Sequence, residues 1–436
     1  MRILVLTPQV PRFPGPGGET RQFCLLRELA RQHEFTVVPL AWPNTRGFLP
    51  QLMELPIRVV PVFLGEQAGD SSPTPSSRAS ARRRVASRYP RLAAGYRRTR
   101  MGWRAATECL RVLAPTPRML DGTRAVAQEV RRALQGFRLE EFDLIQVEHV
   151  KAGLWLRGIA AQVPRLLVCL DIASVLARRE FEHQRWLEGR LAAFAEWRKV
   201  QRYERRIAQT FDNCVVMSEV DQAALRALDS SVRTWVVPNG VDTGHFQPAD
   251  PESVEADSMV FTGTMFWGPN VDATIHFCGD ILPLIQRQYS GVRLTIVGAE
   301  PTEAVRRLGE QRGVTVTGSV KDVRQYIGRA AVVIAPIRLG SGTRLKILEA
   351  MAMGKAVVST SVGCEGLEVT PGKDIEVADS PEAFAVAVCR LLGDSARRRA
   401  LGEAGRRLVT DRYDWRIIAR QQDAVYAALA EGPRSR

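Results

Sequence analysis

The residue types best suited to anion chemistry lie between Pro336 and Gly354, in the run Pro-Ile-Arg-Leu-Gly-Ser-Gly-Thr-Arg-Leu-Lys-Ile-Leu-Glu-Ala-Met-Ala-Met-Gly. Gly340 and Gly342, with Ser341 and Thr343 beside them, let backbone amides approach a negatively charged group closely. A helix starting just behind them points the positive end of its dipole the same way. Arg344 and Lys346 add full positive charge at that end, and Glu349, almost two turns on, can accept hydrogen bonds from ribose-like hydroxyls. Together these groups suit a nucleoside diphosphate. A tight turn followed by a solvated helix face would give the same short pattern, so the loop alone admits both readings.

Such groups need a strand to deliver the chain to one sheet edge and a helix to aim them. Val332 to Ala335 and Ala356 to Val358 read as buried parallel strands. The helix between them carries Leu345, Ile347, Leu348 and Met351 inward, with Thr343 as its expected cap and Gly354 as its stop. Met259 to Thr262, Arg293 to Val297 and Val314 to Thr317 read as further strands of the same sheet. All end at or near glycine or proline: Gly263, Gly298, Gly318 and Pro336. A row of glycines along one carboxyl edge implies that something approaches the backbone there.

The first half has the same rhythm. A strand over residues 1–7 leads into the glycine-proline loop Pro11 to Arg21, which contains Gly17 and Gly18. A helix through Phe23, Leu25, Leu26 and Leu29 comes next, and Glu34 to Leu40 returns as a second strand. The loop therefore sits at the carboxyl end of a parallel strand, although its spacing is not Gly-x-Gly-x-x-Gly. Ile57 to Phe63 reads as the third strand. Leu144 to Val147 ends at Glu148-His149, Leu166 to Leu170 ends at Asp171, and Thr234 to Val237 is the last strand of this half. A helical stretch carries Leu187, Leu191, Phe194, Trp197, Val200 and Tyr203. Gln247 to Asp257, rich in Pro, Asp and Glu, reads as a linker.

With 436 residues, two domains of about 200 residues each are expected. The expected boundaries are 1–248, with a basic insertion over about 65–120; 249–414; and 415–436, a terminal helix packing back on the first domain. The composition, 45% hydrophobic and 25% charged, is that of a soluble globular protein, and no apolar run reaches bilayer length. The seven scattered cysteines lack Cys-x-x-Cys spacing and read as reduced core residues, with neither a disulfide frame nor a metal site expected. Of the net charge of +14, ten arginines between Arg78 and Arg104 contribute ten, with no acid among them. Interleaved with Val85, Tyr89, Leu92, Tyr96 and Trp103, they suit an anionic membrane surface or a bland solvated insertion; no nucleic-acid partner is expected.

Three motifs in order carry a resemblance: Val237-Pro238-Asn239-Gly240-Val241-Asp242; Phe261-Thr262-Gly263-Thr264-Met265-x-Trp267-x-Pro269-Asn270; and the glycine loop running on to Leu348-Glu349-Ala350-Met351-Ala352-x-Gly354. The chain resembles the family 4 type of retaining glycosyltransferase. The resemblance is strong over 212–367 and weak over 64–140. It implies a GT-B architecture, two Rossmann-like α/β domains facing across a cleft, and metal-independent transfer from a nucleotide sugar. The donor would be a UDP- or GDP-sugar, with no further cofactor, and the acceptor a polysaccharide or lipid-linked glycan.

The resemblance places Arg344 and Lys346 on the leaving diphosphate and Glu349 on the ribose. Gly17, Gly18, Gly263, Gly298, Gly340, Ser341, Gly342 and Thr343 would complete the donor site. Ser341 stands where the family often has a sugar-binding Glu, and Trp267-Gly268 stands where many members have Lys-Gly, so Arg344 and Lys346 would compensate, as in a branch reading Gly-x-Gly-x-Arg-x-Lys. Asp171 occupies the place of a His found in many members, and His149 is a second polar candidate beside the reacting sugar. The expected location is cytoplasmic, with peripheral attachment to the inner face of the cell membrane through the arginine tract. A nucleotide-sugar epimerase on the same scaffold, or a catalytically silent scaffold protein, are the competing readings.

Overall fold

The computed structural model describes residues 1–65, 116–120, 123–159, 163–184 and 186–431. The Arg78–Arg104 tract, Cys109 and most of the expected insertion lie outside the described residues.

Strands β1 (Arg2–Thr7), β2 (Glu34–Ala41), β3 (Arg58–Val59), β4 (Val62–Phe63), β5 (Leu144–Glu148), β6 (Arg165–Cys169), β7 (Asn213–Val216) and β8 (Thr234–Val236) build the first sheet. Its order is β3-β2-β1-β5-β6-β7-β8, with β4 also on β2, and every pairing is parallel. The strand expected over Ile57 to Phe63 is split in two. The Val60 amide still reaches the Val37 carbonyl, at 2.9 Å, but Pro61 has no N–H with which to continue the ladder. Successive residues face opposite sides: Ile3, Val5, Val37 and Leu144 enter one core, Leu4, Leu6, Val38 and Ile145 the other.

Strands β9 (Glu255–Thr262), β10 (Arg293–Val297), β11 (Val314–Gly318), β12 (Ala330–Ala335), β13 (Ala356–Ser359) and β14 (Glu376–Val377) form the second sheet, in the order β11-β10-β9-β12-β13-β14. β9 starts four residues before the expected Met259, pairing Glu255 with Ala330, so the last part of the expected linker is strand. Its first residues are polar and largely solvent-facing, which hides them from a reading by hydrophobicity. Strand order reverses between β9 and β12, and again between β1 and β5. At such switch points the loops leave the sheet in opposite directions and open a crevice at the carboxyl edge.

Five helices wall the cleft or cover the first sheet around it: α1 (Gly17–Leu29), α2 (Ala173–His183), α3 (Leu187–Ala208), α4 (Leu345–Ala352) and α5 (Trp415–Glu431). The chain passes between the sheets twice, side by side: the Val241 amide donates to the Tyr413 carbonyl at 2.7 Å and the Trp415 amide to Val241 at 3.2 Å. After the second crossing, α5 lays Trp415, Ile418, Ala419, Val425 and Tyr426 on the core of the first sheet, and the Tyr426 hydroxyl donates to Gln146 at 2.7 Å.

Candidate active site

The Gly340 loop leaves β12 at the switch point of the second sheet and ends in α4. Gly340 and Gly342 have φ of +135° and +71°, a region that side-chain-bearing residues rarely adopt. The expected Thr343 cap is not formed. Arg344 occupies the cap position with no side-chain hydrogen bond to the helix, and the Thr343 hydroxyl instead accepts from Asn239 Nδ2 at 2.8 Å. The loop is drawn toward the first domain, and that pull turns Thr343 away from the helix amides. Gly354, with φ +66°, ends the helix as expected.

Arg344 folds beneath the loop, where a Cβ at Gly340 would lie 2.8 Å from its Nη2. Nη1 and Nη2 are buried and donate to nothing in the protein. Burial depresses the pKa of this guanidinium, while the charges of Glu365, Asp221 and Asp171 act in the opposite sense. Lys346 Nζ donates to Asn270 Oδ1 at 2.8 Å and stands 4.0 Å from the centre of the Phe261 ring. Asn270 is held in turn by its Nδ2 donating to the Thr264 carbonyl at 2.9 Å. Gly263 leaves room for this pair, since a Cβ there would meet Lys346 Nζ at 2.7 Å and Asn270 Nδ2 at 2.8 Å. Burial pulls Lys346 down to about 7 and pushes Glu349 up to about 7; each charge partly offsets the other's desolvation.

Gly298 has a different reason to be glycine. A Cβ there would fall 1.6 Å from the Gly263 carbonyl oxygen, so the ends of β9 and β10 meet backbone to backbone. Gly17 and Gly18 line the facing wall: a Cβ on Gly17 would lie 3.4 Å from Leu345 Cδ1, and one on Gly18 2.8 Å from Leu170 Cδ1. The two glycine loops therefore confront each other across the cleft.

His149 and Asp171 stand at the carboxyl ends of the adjacent strands β5 and β6. His149 has φ +74°, strained for a residue with a Cβ, and its Nδ1 accepts from the Lys151 amide at 3.2 Å. Burial lowers its pKa against the opposing pull of the Asp171 charge. Asp171 reaches the Gly340 loop directly: Ser341 Oγ donates to its Oδ2 at 3.5 Å, and a Cβ on Gly342 would lie 2.8 Å from the Leu170 carbonyl oxygen. The structure thus brings Gly17 against the start of α4 and Asp171 against the Gly340 loop.

Four partners were not singled out as site residues. Arg179 of α2 crosses to the second domain, donating to both carboxylate oxygens of Glu365, at 2.9 and 2.6 Å, and to the Gly340 carbonyl. Asn239 and Asn270, both inside the quoted motifs, hold Thr343 and Lys346. Arg179 and Glu365 are 186 positions apart and carried no local signal. Replacing Arg179 by alanine is expected to weaken binding of an anionic ligand at the Gly340 loop roughly 5- to 20-fold, the scale of hydrogen bonds to a charged group. Calorimetry on Arg179→Ala, Glu365→Ala and the double variant checks this; fully additive losses would show that the pair does not act as a unit.

Among the described residues no cluster of three or more His, Cys, Asp or Glu could hold a metal ion, and no helix is long and apolar enough to cross a membrane.

The two facing parallel sheets define the GT-B class of fold. Over 98% of this chain and 99% of its own, sucrose-phosphate synthase from Thermosynechococcus elongatus superposes with a TM-score of 0.69 at 18% identity. Anabaena HepE in complex with UDP-glucose does so with a TM-score of 0.63 at 15% identity, over 98% and 99% of the two chains. More specifically, residues 256–394 match the family described as Glycosyl transferases group 1. The GDP-mannose-dependent alpha-(1-6)-phosphatidylinositol monomannoside mannosyltransferase of Mycobacterium tuberculosis is 31% identical over 208 residues, 42% of this chain and 53% of its own. The D-inositol 3-phosphate glycosyltransferase of Segniliparus rotundus is 29% identical over 223 residues, 45% and 47% of the two chains. The chain spans about half the length of these curated relatives.

Proposed function

We propose that the protein is a retaining glycosyltransferase of the family 4 type, moving a sugar from a nucleoside-diphosphate donor to a polysaccharide or lipid-linked acceptor without a metal ion. The observation that carries this reading is Arg344, with two buried guanidinium nitrogens that donate to nothing, at the start of α4 and behind a glycine loop. A diphosphate supplies the acceptors those donors lack, and charge grows on it as the sugar leaves. Lys346 lies two residues further on and Glu349 on the same helix, a spacing that takes phosphate and then ribose. The match of residues 256–394 and the donors named for the relatives support the same assignment.

In this reading the bond from the anomeric carbon to the diphosphate oxygen breaks, one to the acceptor hydroxyl oxygen forms, and the hydroxyl's proton passes to the departing diphosphate oxygen. Arg344, Lys346 and the loop amides hold the departing charge. Asp171 and His149, on the opposite wall, orient the acceptor and the reacting sugar. Because Gly342 and Ser341 already touch the Leu170–Asp171 strand end, the domains part to admit the donor and close over it, with the Arg179–Glu365 pair as the contact that re-forms. The epimerase and silent-scaffold readings gain no comparable observation.

Titration calorimetry with a panel of UDP- and GDP-sugars tests the assignment, and absence of binding to every member would sink it. The pH dependence adds a sharper form. Lys346, pulled down to about 7, grips phosphate only while protonated, so affinity falls as pH rises through that value. Glu349, pushed up to about 7, accepts from ribose only when ionised, so affinity falls as pH drops through the same region. Donor affinity is expected to peak near neutrality, and Lys346→Arg should abolish the alkaline fall while keeping the acidic one. A flat profile in the parent protein would refute the roles of both residues.

A further inference from the structure

Arg21 stands on α1, three residues beyond Gly18, and is 1% exposed. Its Nη1 serves one short segment, donating to the Pro238 carbonyl at 2.5 Å and to Asn239 Oδ1 at 3.3 Å. Nε and Nη2 are also buried, and donate to nothing in the protein. Burial pulls this guanidinium down to about 10, and the charge of Glu148, at the end of β5, acts in the opposite sense. Glu148 is itself pushed up to about 7 by burial; its Oε1 accepts from Gln146 Nε2 at 2.6 Å and its Oε2 from nothing. A buried cation with two idle donors costs the fold stability. Its engaged nitrogen shows what it is kept for.

An amide side chain can offer either its oxygen or its nitrogen to a neighbour. With Oδ1 claimed by Arg21, Asn239 turns Nδ2 to Thr343 Oγ1, the 2.8 Å contact that draws the Gly340 loop toward the first domain. Gly240 fixes the same segment from another side, since a Cβ there would lie 2.7 Å from the Trp415 ring and 2.8 Å from the Tyr413 carbonyl oxygen. We propose that Arg21 is a positioning residue: by orienting the Asn239 carboxamide it seats Thr343, and with it the Gly340 loop, against the first domain. One helix then shapes the cleft twice. Gly17 lets α1 approach Leu345 directly, and Arg21, four residues on, acts on the loop before α4 through Asn239. The seating of the loop does not depend on the sugar-transfer reading; its consequence for donor affinity rests on that reading.

Amide hydrogen exchange of the full chain without nucleotide, read on peptides covering residues 336–354, tests the proposal. The pair variant Arg21→Met/Glu148→Gln removes the buried cation together with the carboxylate that offsets it, so neither charge is left uncompensated. It is expected to speed exchange in the loop roughly fivefold or more, while β1 and β5 keep their protection and the melting temperature holds or rises. Glu148→Gln alone should leave the loop as in the parent. Asn239→Ala should loosen the loop to the same degree as the pair variant, and combining the two should loosen it no further. Unchanged loop exchange in the pair variant overturns the proposal. So do effects that add to those of Asn239→Ala, a loop loosened by Glu148→Gln alone, or faster exchange throughout the first sheet with a lower melting temperature, which would make Arg21 a general prop of the fold. Calorimetry with UDP and GDP on the same proteins keeps the two claims apart. A parent that binds either should lose about fivefold in affinity in the pair variant; a parent that binds neither ends the donor assignment, and the exchange result then decides the role of Arg21 by itself.

Discussion

Arg344→Ala is expected to lower kcat/KM for the nucleotide-sugar donor by roughly 10²- to 10³-fold, about 3 to 4 kcal/mol of barrier, the range for removing one preorganised charge stabiliser. The reason is geometric. The guanidinium is held under the Gly340 loop before any donor arrives, and its Nη1 and Nη2 make no other hydrogen bond. Its stabilisation of a departing diphosphate therefore costs little reorganisation. For the same reason the substitution should not weaken the fold: it removes buried donors that no group in the protein satisfies, so the melting temperature should hold steady or rise. Lost activity with undiminished stability is the signature of a group kept for chemistry. Full donor turnover in the variant would end the assignment.

Gly298→Ala should produce the reverse pattern, a structural loss. The added methyl would lie 1.6 Å from the Gly263 carbonyl oxygen and 2.7 Å from its carbonyl carbon, both backbone atoms of the adjoining strand end. No rotamer relieves that overlap, so β9 and β10 must separate where the Gly263 amide donates to the Val297 carbonyl. A cost of about 4 kcal/mol or more is expected, above the ordinary range for overpacking, with the melting temperature lower by about 8 to 16 °C. Calorimetric unfolding measures it. A variant as stable as its parent would mean that the strand ends part freely and that Gly298 is glycine for another reason.

These two positions show how differently the site was written into the chain. Arg344, Lys346 and Glu349 were legible because they sit within one strand-loop-helix unit, where hydrophobic periodicity sets the helix phase and hence the direction of each side chain. Gly298 was legible as a glycine at a strand end but not as a backbone contact, because its neighbour Gly263 lies on a different strand. Asp171 and His149 could be placed at strand ends, and parallel topology then put both on one edge. Thr343 failed as a cap because Asn239, more than a hundred positions earlier, offers it a hydrogen bond.

The helical spacing of Leu187, Leu191, Phe194, Trp197, Val200 and Tyr203 is continuous in sequence, and periodicity alone gives no sign that the stripe passes from solvent into core partway along. Exposure depends on where the rest of the domain ends, and the helix outruns it. The Arg179–Glu365 pair is a similar case, formed only when two separately built sheets face each other.

Local order, the alternation of buried strands with amphipathic helices and the glycine breaks at strand ends, was determined by the sequence itself, because those preferences act between residues a few positions apart. Which wall the Gly340 loop faces, which donors stay unpaired beneath it and which apolar side chains remain in water were decided only by the tertiary structure. Contacts between distant segments depend on how the sheets and helices pack, and no neighbouring residue carries that information.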